Sequence, residues 1–339
     1  MRRLPLALSL QHAEDLVSTL SSEFAFTPRQ VEKARILASA GLPPLVTTEV
    51  LPFMFGITNR LVNSMSRFPD RHYRTYRIKK KTGGWREIQA PRRFLKAIQL
   101  WIYTYVLRNY PMPSFVTGFA PGRSIFSNAR QHASHRNLMV VDISQFFPSV
   151  TKSQVTQVYK SLGFPPKVAY VLAGICTLKG VLPQGAPTSP ALSNIVFIPV
   201  DLRLCEKAKE WDCTYTRYAD DIAFSGSFRF GPKDIDAVCH IVAESGFMVN
   251  KRKCRIIGSG GRQLLTGLVV NRKALPQRSK RMKWRATFHR ANLHPESYLG
   301  QSRKLKGIAA YVNEYDPSLA KRYFSVAARV ATLEGKSRR

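Results

Sequence analysis

Acidic residues are scarce in this chain. Only 21 Asp and Glu stand against 53 Lys and Arg in 339 residues, for a formal net charge of +32 at pH 7 and a pI near 10.5. Such an excess points to a polyanionic partner, because each cation that neutralises a phosphate releases condensed counterions. No run of about 18 apolar residues occurs, and no basic amphipathic helix keeps a consistent aromatic face, so neither a membrane span nor a membrane-surface role is predicted. Met1-Arg2-Arg3-Leu4-Pro5 sets basic residues before an apolar stretch, but that stretch is short and Gln11-His12-Ala13-Glu14-Asp15 ends it without a convincing cleavage site, so no signal peptide is expected. The five cysteines, Cys176, Cys205, Cys213, Cys239 and Cys254, are far apart, odd in number and form no Cys-x-x-Cys pair. That pattern argues against a disulfide framework or zinc site and predicts reduced thiols in the cytoplasm. Internal repeats and low-complexity tracts are missing too, apart from a polar tail over Gly335-Lys336-Ser337-Arg338-Arg339. The partner class left standing is nucleic acid.

The length suffices for one large body or two domains with a sizeable core. Residues 1–70 read as helical: Thr27-Pro28-Arg29-Gln30 has capping-box spacing with Pro at the first helical position, and Gly41 follows as a stop. Over 71–270 strands and helices alternate irregularly with Pro and Gly at the joints, which predicts an α+β region. From 271 to 339 the pattern turns helical again, and counting from Arg272 gives 17 Lys or Arg against 4 Asp or Glu.

Chemistry concentrates in Tyr218-Ala219-Asp220-Asp221, where two adjacent carboxylates occupy a turn between the strand-like runs 213–217 and 222–225. A lone acid, Asp142, closes the apolar run Leu138-Met139-Val140-Val141 far upstream. Asp pairs are common in turns that bond their own backbone, and an acid ending a strand often serves as a cap. Three carboxylates from two strand ends can instead hold a pair of Mg²⁺ ions, the chemistry of nucleotide addition. The neighbouring blocks decide between these readings. Lys80-Lys81-Thr82-Gly83-Gly84-Trp85-Arg86 reads as a hairpin with a Gly-Gly turn. Pro183-Gln184-Gly185-Ala186-Pro187 leads into a helix starting near Ala191, and Asn250 and Lys253 close the series.

Taken in order, these blocks resemble those of reverse transcriptases over residues from about Tyr73 to Val312. The resemblance implies a right-hand polymerase, with fingers beginning in 1–70, fingers and palm over 71–270 and a basic helical thumb over 271–339. It implies that Asp142, Asp220 and Asp221 are catalytic and hold two Mg²⁺ ions. Lys80 and Arg86 would clamp the triphosphate of a dNTP, with Lys79 or Lys81 as substitutes for Lys80. Gln184 and Gly185 would shape the nucleotide contact. The ring of Phe147, five residues after Asp142, would exclude a 2′-hydroxyl. Phe146 is its rival, since only one of two adjacent strand residues points inward. Lys253 would protonate the departing pyrophosphate, against the alternative that it is a solvated charge.

Two further stretches narrow the likeness to bacterial retron reverse transcriptases. Asn128-Ala129-Arg130-Gln131-His132 fits an Asn-Ala-x-x-His motif, and Leu265-Thr266-Gly267 fits a Val-Thr-Gly motif with Leu for Val. That resemblance implies a structured noncoding RNA as partner, priming from a guanosine 2′-hydroxyl, and a branched RNA–DNA product used in antiphage defence. Asn128, His132, Thr266, Gly267 and the thumb cluster Arg278, Lys280, Arg281, Lys283 and Arg285 would contact RNA. For Asn128 and His132 the competing reading is a polar helix face with the histidine packed or capping. No toxin, nuclease or protease constellation is visible, so the effector is expected to be a separately encoded protein. A group II intron-like or other bacterial reverse transcriptase is the enzymatic alternative. The roughly 70 residues after Gly267 are too few for a thumb followed by maturation and endonuclease domains. A non-catalytic RNA-binding scaffold is the third reading, and three clustered carboxylates argue against it.

Overall fold

The structure is a computed structural model describing residues 13–79 and 83–336. Four helices open the chain, α1 (Ala13–Glu23), α2 (Pro28–Ser39), α3 (Val50–Phe55) and α4 (Asn59–Arg67). Strands β1 (Tyr73–Lys79) and β2 (Trp85–Pro91) follow, then α5 (Arg93–Ile102), α6 (Ile125–Gln131) and β3 (Asn137–Ser144). Next come α7 (Lys152–Ser161), α8 (Pro166–Cys176), α9 (Ser189–Glu210), β4 (Cys213–Tyr218), β5 (Asp221–Gly226) and α10 (Pro232–Ala243). Short strands β6 (Met248–Val249), β7 (Arg255–Gly258), β8 (Leu264–Leu265), β9 (Leu268–Val269) and β10 (Leu275–Pro276) lead to α11 (Arg278–Leu293), α12 (Ser302–Asn313) and α13 (Pro317–Lys336). Helix predominates and every strand pairing is antiparallel, compatible with the expected α+β class.

The chain forms two compact units, each discontinuous in sequence. The first holds residues up to Pro121, Ile143–Cys205 and Asp236–Asn250. Here α2 starts as its sequence predicts: Thr27 accepts from the Gln30 amide, the Gln30 side chain accepts from the Thr27 amide, and Gly41 follows at φ +70°. β1 and β2 form a ribbon from Tyr73↔Pro91 to Lys79↔Trp85, with Gly83 and Gly84 both left-handed at φ +88° and +75°. The Gln89 amide donates to the Gln184 carbonyl at 2.8 Å, fastening the Pro-Gln-Gly segment to β2. α9 begins at Ser189, two residues before the predicted start, with the Ser189 hydroxyl on the Pro183 carbonyl at 2.8 Å.

The second unit holds Gly122–Asp142, Glu206–Ile235 and the chain from Lys251. Its sheet has the order β4-β5-β3-β7. Because side chains alternate along a strand, Leu138, Val140 and Asp142 share one face with their partners Ser225, Ala223 and Asp221, and with Thr214, Thr216 and Tyr218 on β4. Phe126 and Ala129 of α6 cover that face in a core with Leu138, Val140, Ala223, Leu265 and Leu268. The last three helices build a separate core. Leu305, Ala309 and Val312 of α12 and Ala320, Tyr323, Ala327 and Val330 of α13 recur at helical spacing and pack with Phe288 and Ala291 of α11.

Candidate active site

The acidic turn is positioned by a two-residue hairpin. Tyr218 ends β4 and pairs with Asp221, the first residue of β5, leaving Ala219 and Asp220 as the loop. Ala219 sits at φ +58°, which costs a non-glycine residue roughly 1–2 kcal/mol. The fully buried Arg217 supports this strained turn, its Nη1 donating to the Ala219 carbonyl at 3.1 Å. Sequence reasoning passed over Arg217, although a cation inside a strand-like run just before an acidic turn is a readable signal. On the other side of β5, the β3 register sets Asp142 directly opposite Asp221. Three carboxylates thus belong to one end of one sheet.

Their charge is only partly compensated. Burial, reinforced by repulsion from Asp220 and Asp142, pushes the Asp221 carboxyl up to about 6, while Arg255 and Lys253 pull the other way. Lys253, in a short turn over Lys251–Lys253, sets its Nζ 2.8 Å from both oxygens of Asp142. Its side chain remains 60% exposed. Among the described residues no three His, Cys, Asp or Glu side chains are gathered into a ready metal cage. The donor set still suits a hard divalent cation, being all carboxylate oxygen and carrying the mutual repulsion that raises Asp221.

Other expected nucleotide contacts lie in the first unit. Arg86 is exposed on β2 opposite Ile78, and Lys80 falls outside the described residues. Gln184 is half-buried and Gly185 is exposed, at φ +133°. A Cβ at Gly185 would stand 2.9 Å from the Gln89 carbonyl oxygen, so only glycine fits here. The two phenylalanines part company. β3 ends at Ser144 and Gln145 is left-handed, so strand alternation does not extend to them. Phe146 is 4% exposed between Phe197 and Phe247, whereas Phe147 is half-buried beside Phe119.

Within the Asn-Ala-x-x-His stretch, Asn128, Ala129 and His132 are buried, while Arg130 and Gln131 are exposed. Asn128 and His132 were expected to touch RNA, but both side chains are buried, which removes them from direct contact. His132 stands 2.7 Å from the Thr216 hydroxyl and 2.6 Å from the Ser225 hydroxyl, and Thr216 donates to the Asn128 carbonyl oxygen at 2.6 Å. Burial, helped by His135, holds the His132 ring neutral, its pKa lowered to about 3. Thr216 and Ser225 were invisible as partners in the sequence. Thr266 and Gly267, both with positive φ, form the two-residue loop joining β8 to β9. That turn leaves Gly267 exposed. Of the basic cluster on α11, Arg278, Lys280, Lys283 and Arg285 are exposed, while Arg281 is half-buried with its Nε on the Pro276 carbonyl. Lys280 also lies over the rings of Trp284 and Tyr311, at 4.9 and 4.8 Å.

Comparison with known proteins matches this chain to a family. A family model described as reverse transcriptase (RNA-dependent DNA polymerase) covers residues 78–300. The retron Mx65 reverse transcriptase of Myxococcus xanthus is 36% identical over 309 residues, 84% of this chain and 72% of the relative. The retron Mx162 reverse transcriptase of the same organism is 31% identical over 88% of this chain and 69% of its own. The retron Ec86 reverse transcriptase of Escherichia coli is 31% identical over 79% and 84%. The matched span contains all three aspartates, the Pro-Gln-Gly block and Lys253, and the chain therefore belongs to the bacterial retron reverse transcriptases and is an RNA-directed DNA polymerase.

Proposed function

We propose that this polymerase copies a structured noncoding RNA into DNA, starting from the 2′-hydroxyl of a guanosine within that RNA and leaving a branched RNA–DNA product. The observation that carries the reading is Asp142 opposite Asp221 with Asp220 in the adjoining turn, in a chain of retron kinship. Asp142, Asp220 and Asp221 would hold two Mg²⁺ ions, which when bound supply activation of the attacking hydroxyl and neutralisation of the leaving pyrophosphate. Lys253 balances the Asp142 charge and donates the proton to the departing pyrophosphate. Arg86 binds the dNTP phosphates, Gln184 and Gly185 line the nucleotide contact, and the Phe147 ring excludes ribonucleotides.

In this reading residues 71–270 act as fingers and palm of a right-hand polymerase, and 271–339 act as the thumb that grips RNA. Among the described residues no helix is long and apolar enough to cross a membrane. The reading sets the protein in the bacterial cytoplasm. The product would serve antiphage defence through a separately encoded effector. The test incubates the full chain with Mg²⁺, labelled dNTPs and a transcript of the DNA flanking its gene. DNA joined to RNA through a bond cut by a debranching enzyme is expected, and a product linked only 3′–5′ would refute branch priming.

A further inference from the structure

The polar atoms of the His132 ring both engage the strands that carry the acidic turn. Thr216 has a single hydroxyl proton, and it goes to the Asn128 carbonyl oxygen at 2.6 Å. Thr216 must therefore accept from His132 Nε2–H at 2.7 Å. The other ring nitrogen, Nδ1, then accepts the Ser225 hydroxyl proton at 2.6 Å, and Ser225 in turn accepts from His135 Nδ1–H at 2.5 Å. With the Asn128 oxygen toward Thr216, this order of protons runs through Thr216, His132 and Ser225, and it requires the neutral ring that burial enforces. Thr216 and Ser225 share the sheet face of Asp142 and Asp221, and α6 covers that face. Thr216 lies two residues before Tyr218, and Ser225 four after Asp221. At 3.3–3.4 Å per residue these are roughly 7 and 13 Å from the ends of the acidic turn, too far for contact with reacting atoms.

An apolar residue at 132 would fill the same volume yet let the strands slide beneath it, whereas a directed chain of hydrogen bonds accepts one alignment. We infer that Asn128, Thr216, His132 and Ser225 form a positioning device that locks β4 and β5 to α6 and so sets Asp221 against Asp142. Asn128 and His132 are thus positioning residues for catalysis and not RNA contacts. The inference rests on Asp142 and Asp221 being the metal-binding carboxylates of the proposed function.

The amide oxygen and nitrogen of glutamine are spaced much like the two ring nitrogens, so His132→Gln can reach both strands. The shorter amide of His132→Asn overlays only the Nδ1 edge and reaches Ser225 alone. Full-length variants are assayed with Mg²⁺, dTTP and poly(rA)·oligo(dT). For His132→Asn, kcat is expected to fall about 10- to 100-fold, the scale of an ångström-level misplacement, with KM for dTTP and template-primer within about twofold. His132→Gln should recover to within about threefold of wild type. Equal kcat in the two variants, or unchanged kcat with a raised template-primer KM, overturns the inference, the latter in favour of RNA contact. Should His132→Asn show no cooperative melting, Thr216→Val keeps the ring and its Ser225 bond while cutting the link to β4, and the same loss of kcat is expected. Asp221→Asn is measured alongside. Synthesis retained there removes the carboxylate reading itself, whereas a dead Asp221→Asn beside a fully active His132→Asn removes only the positioning role.

Discussion

Replacing Gly185 by alanine sets a methyl group 2.9 Å from the Gln89 carbonyl oxygen and 3.0 Å from Ile88 Cγ2, at a backbone φ of +133°. That φ alone costs a residue with a side chain about 1–3 kcal/mol. Relieving the clash means moving the segment off β2, which weakens the Gln89–Gln184 hydrogen bond, worth about 0.5–1.5 kcal/mol net. The total is about 2–4 kcal/mol. In a unit of about 200 residues each kcal/mol lowers Tm by about 2–4 °C, so a fall of about 4–16 °C is expected. Gly180 supplies the control in the same unit. It is also left-handed, at φ +80°, but a Cβ there meets nothing within 4 Å, so Gly180→Ala carries only the conformational cost of about 1–2 kcal/mol. Differential scanning calorimetry of the two variants separates strain from contact, and primer extension with varied dNTP reads the site. Gly185→Ala should melt below Gly180→Ala and show a raised dNTP KM. Equal melting temperatures, or wild-type melting for Gly185→Ala, would refute the close-approach argument.

Asp220→Asn and Asp221→Asn should each abolish primer extension in Mg²⁺ while RNA affinity is kept; wild-type rates in either would remove the metal-ligand assignment. Because Asp221 is buried among like charges, Asp221→Asn is also expected to melt above wild type in EDTA, and a lower Tm would contradict the repulsion described here. Phe147→Val should admit rNTPs at little cost in stability. Phe146→Ala should lose about 3–5 kcal/mol from the Phe197 and Phe247 contacts without gaining rNTP use, and the reverse pattern would exchange the two roles. Neutralising the exposed Arg278, Lys280, Lys283 and Arg285 should flatten the dependence of RNA binding on salt, by about 0.7–0.9 of a unit in log K against log salt per lost phosphate contact. An unchanged slope in a filter-binding titration would return these residues to a solvated face.

Short-range physics made the acidic hairpin, the Thr27 cap and the Gly-Gly ribbon legible before any coordinates. Turn chemistry, capping and alternation each act over a few residues, so the sequence itself determines where β4 and β5 turn and which acids the turn displays. The order of blocks likewise sufficed to place the chain among the reverse transcriptases. Tertiary structure decided what depends on distant partners. The two bonds of His132 reach 84 and 93 residues along the chain, and that of Lys253 to Asp142 spans 111. No local pattern distinguishes a histidine presented to RNA from one enclosed under a helix. Which of Phe146 and Phe147 is buried was decided the same way, by Phe197 and Phe247 closing over one ring after β3 had already ended. Burial is a property of what packs against a residue, and in this protein those neighbours arrive from remote parts of the sequence.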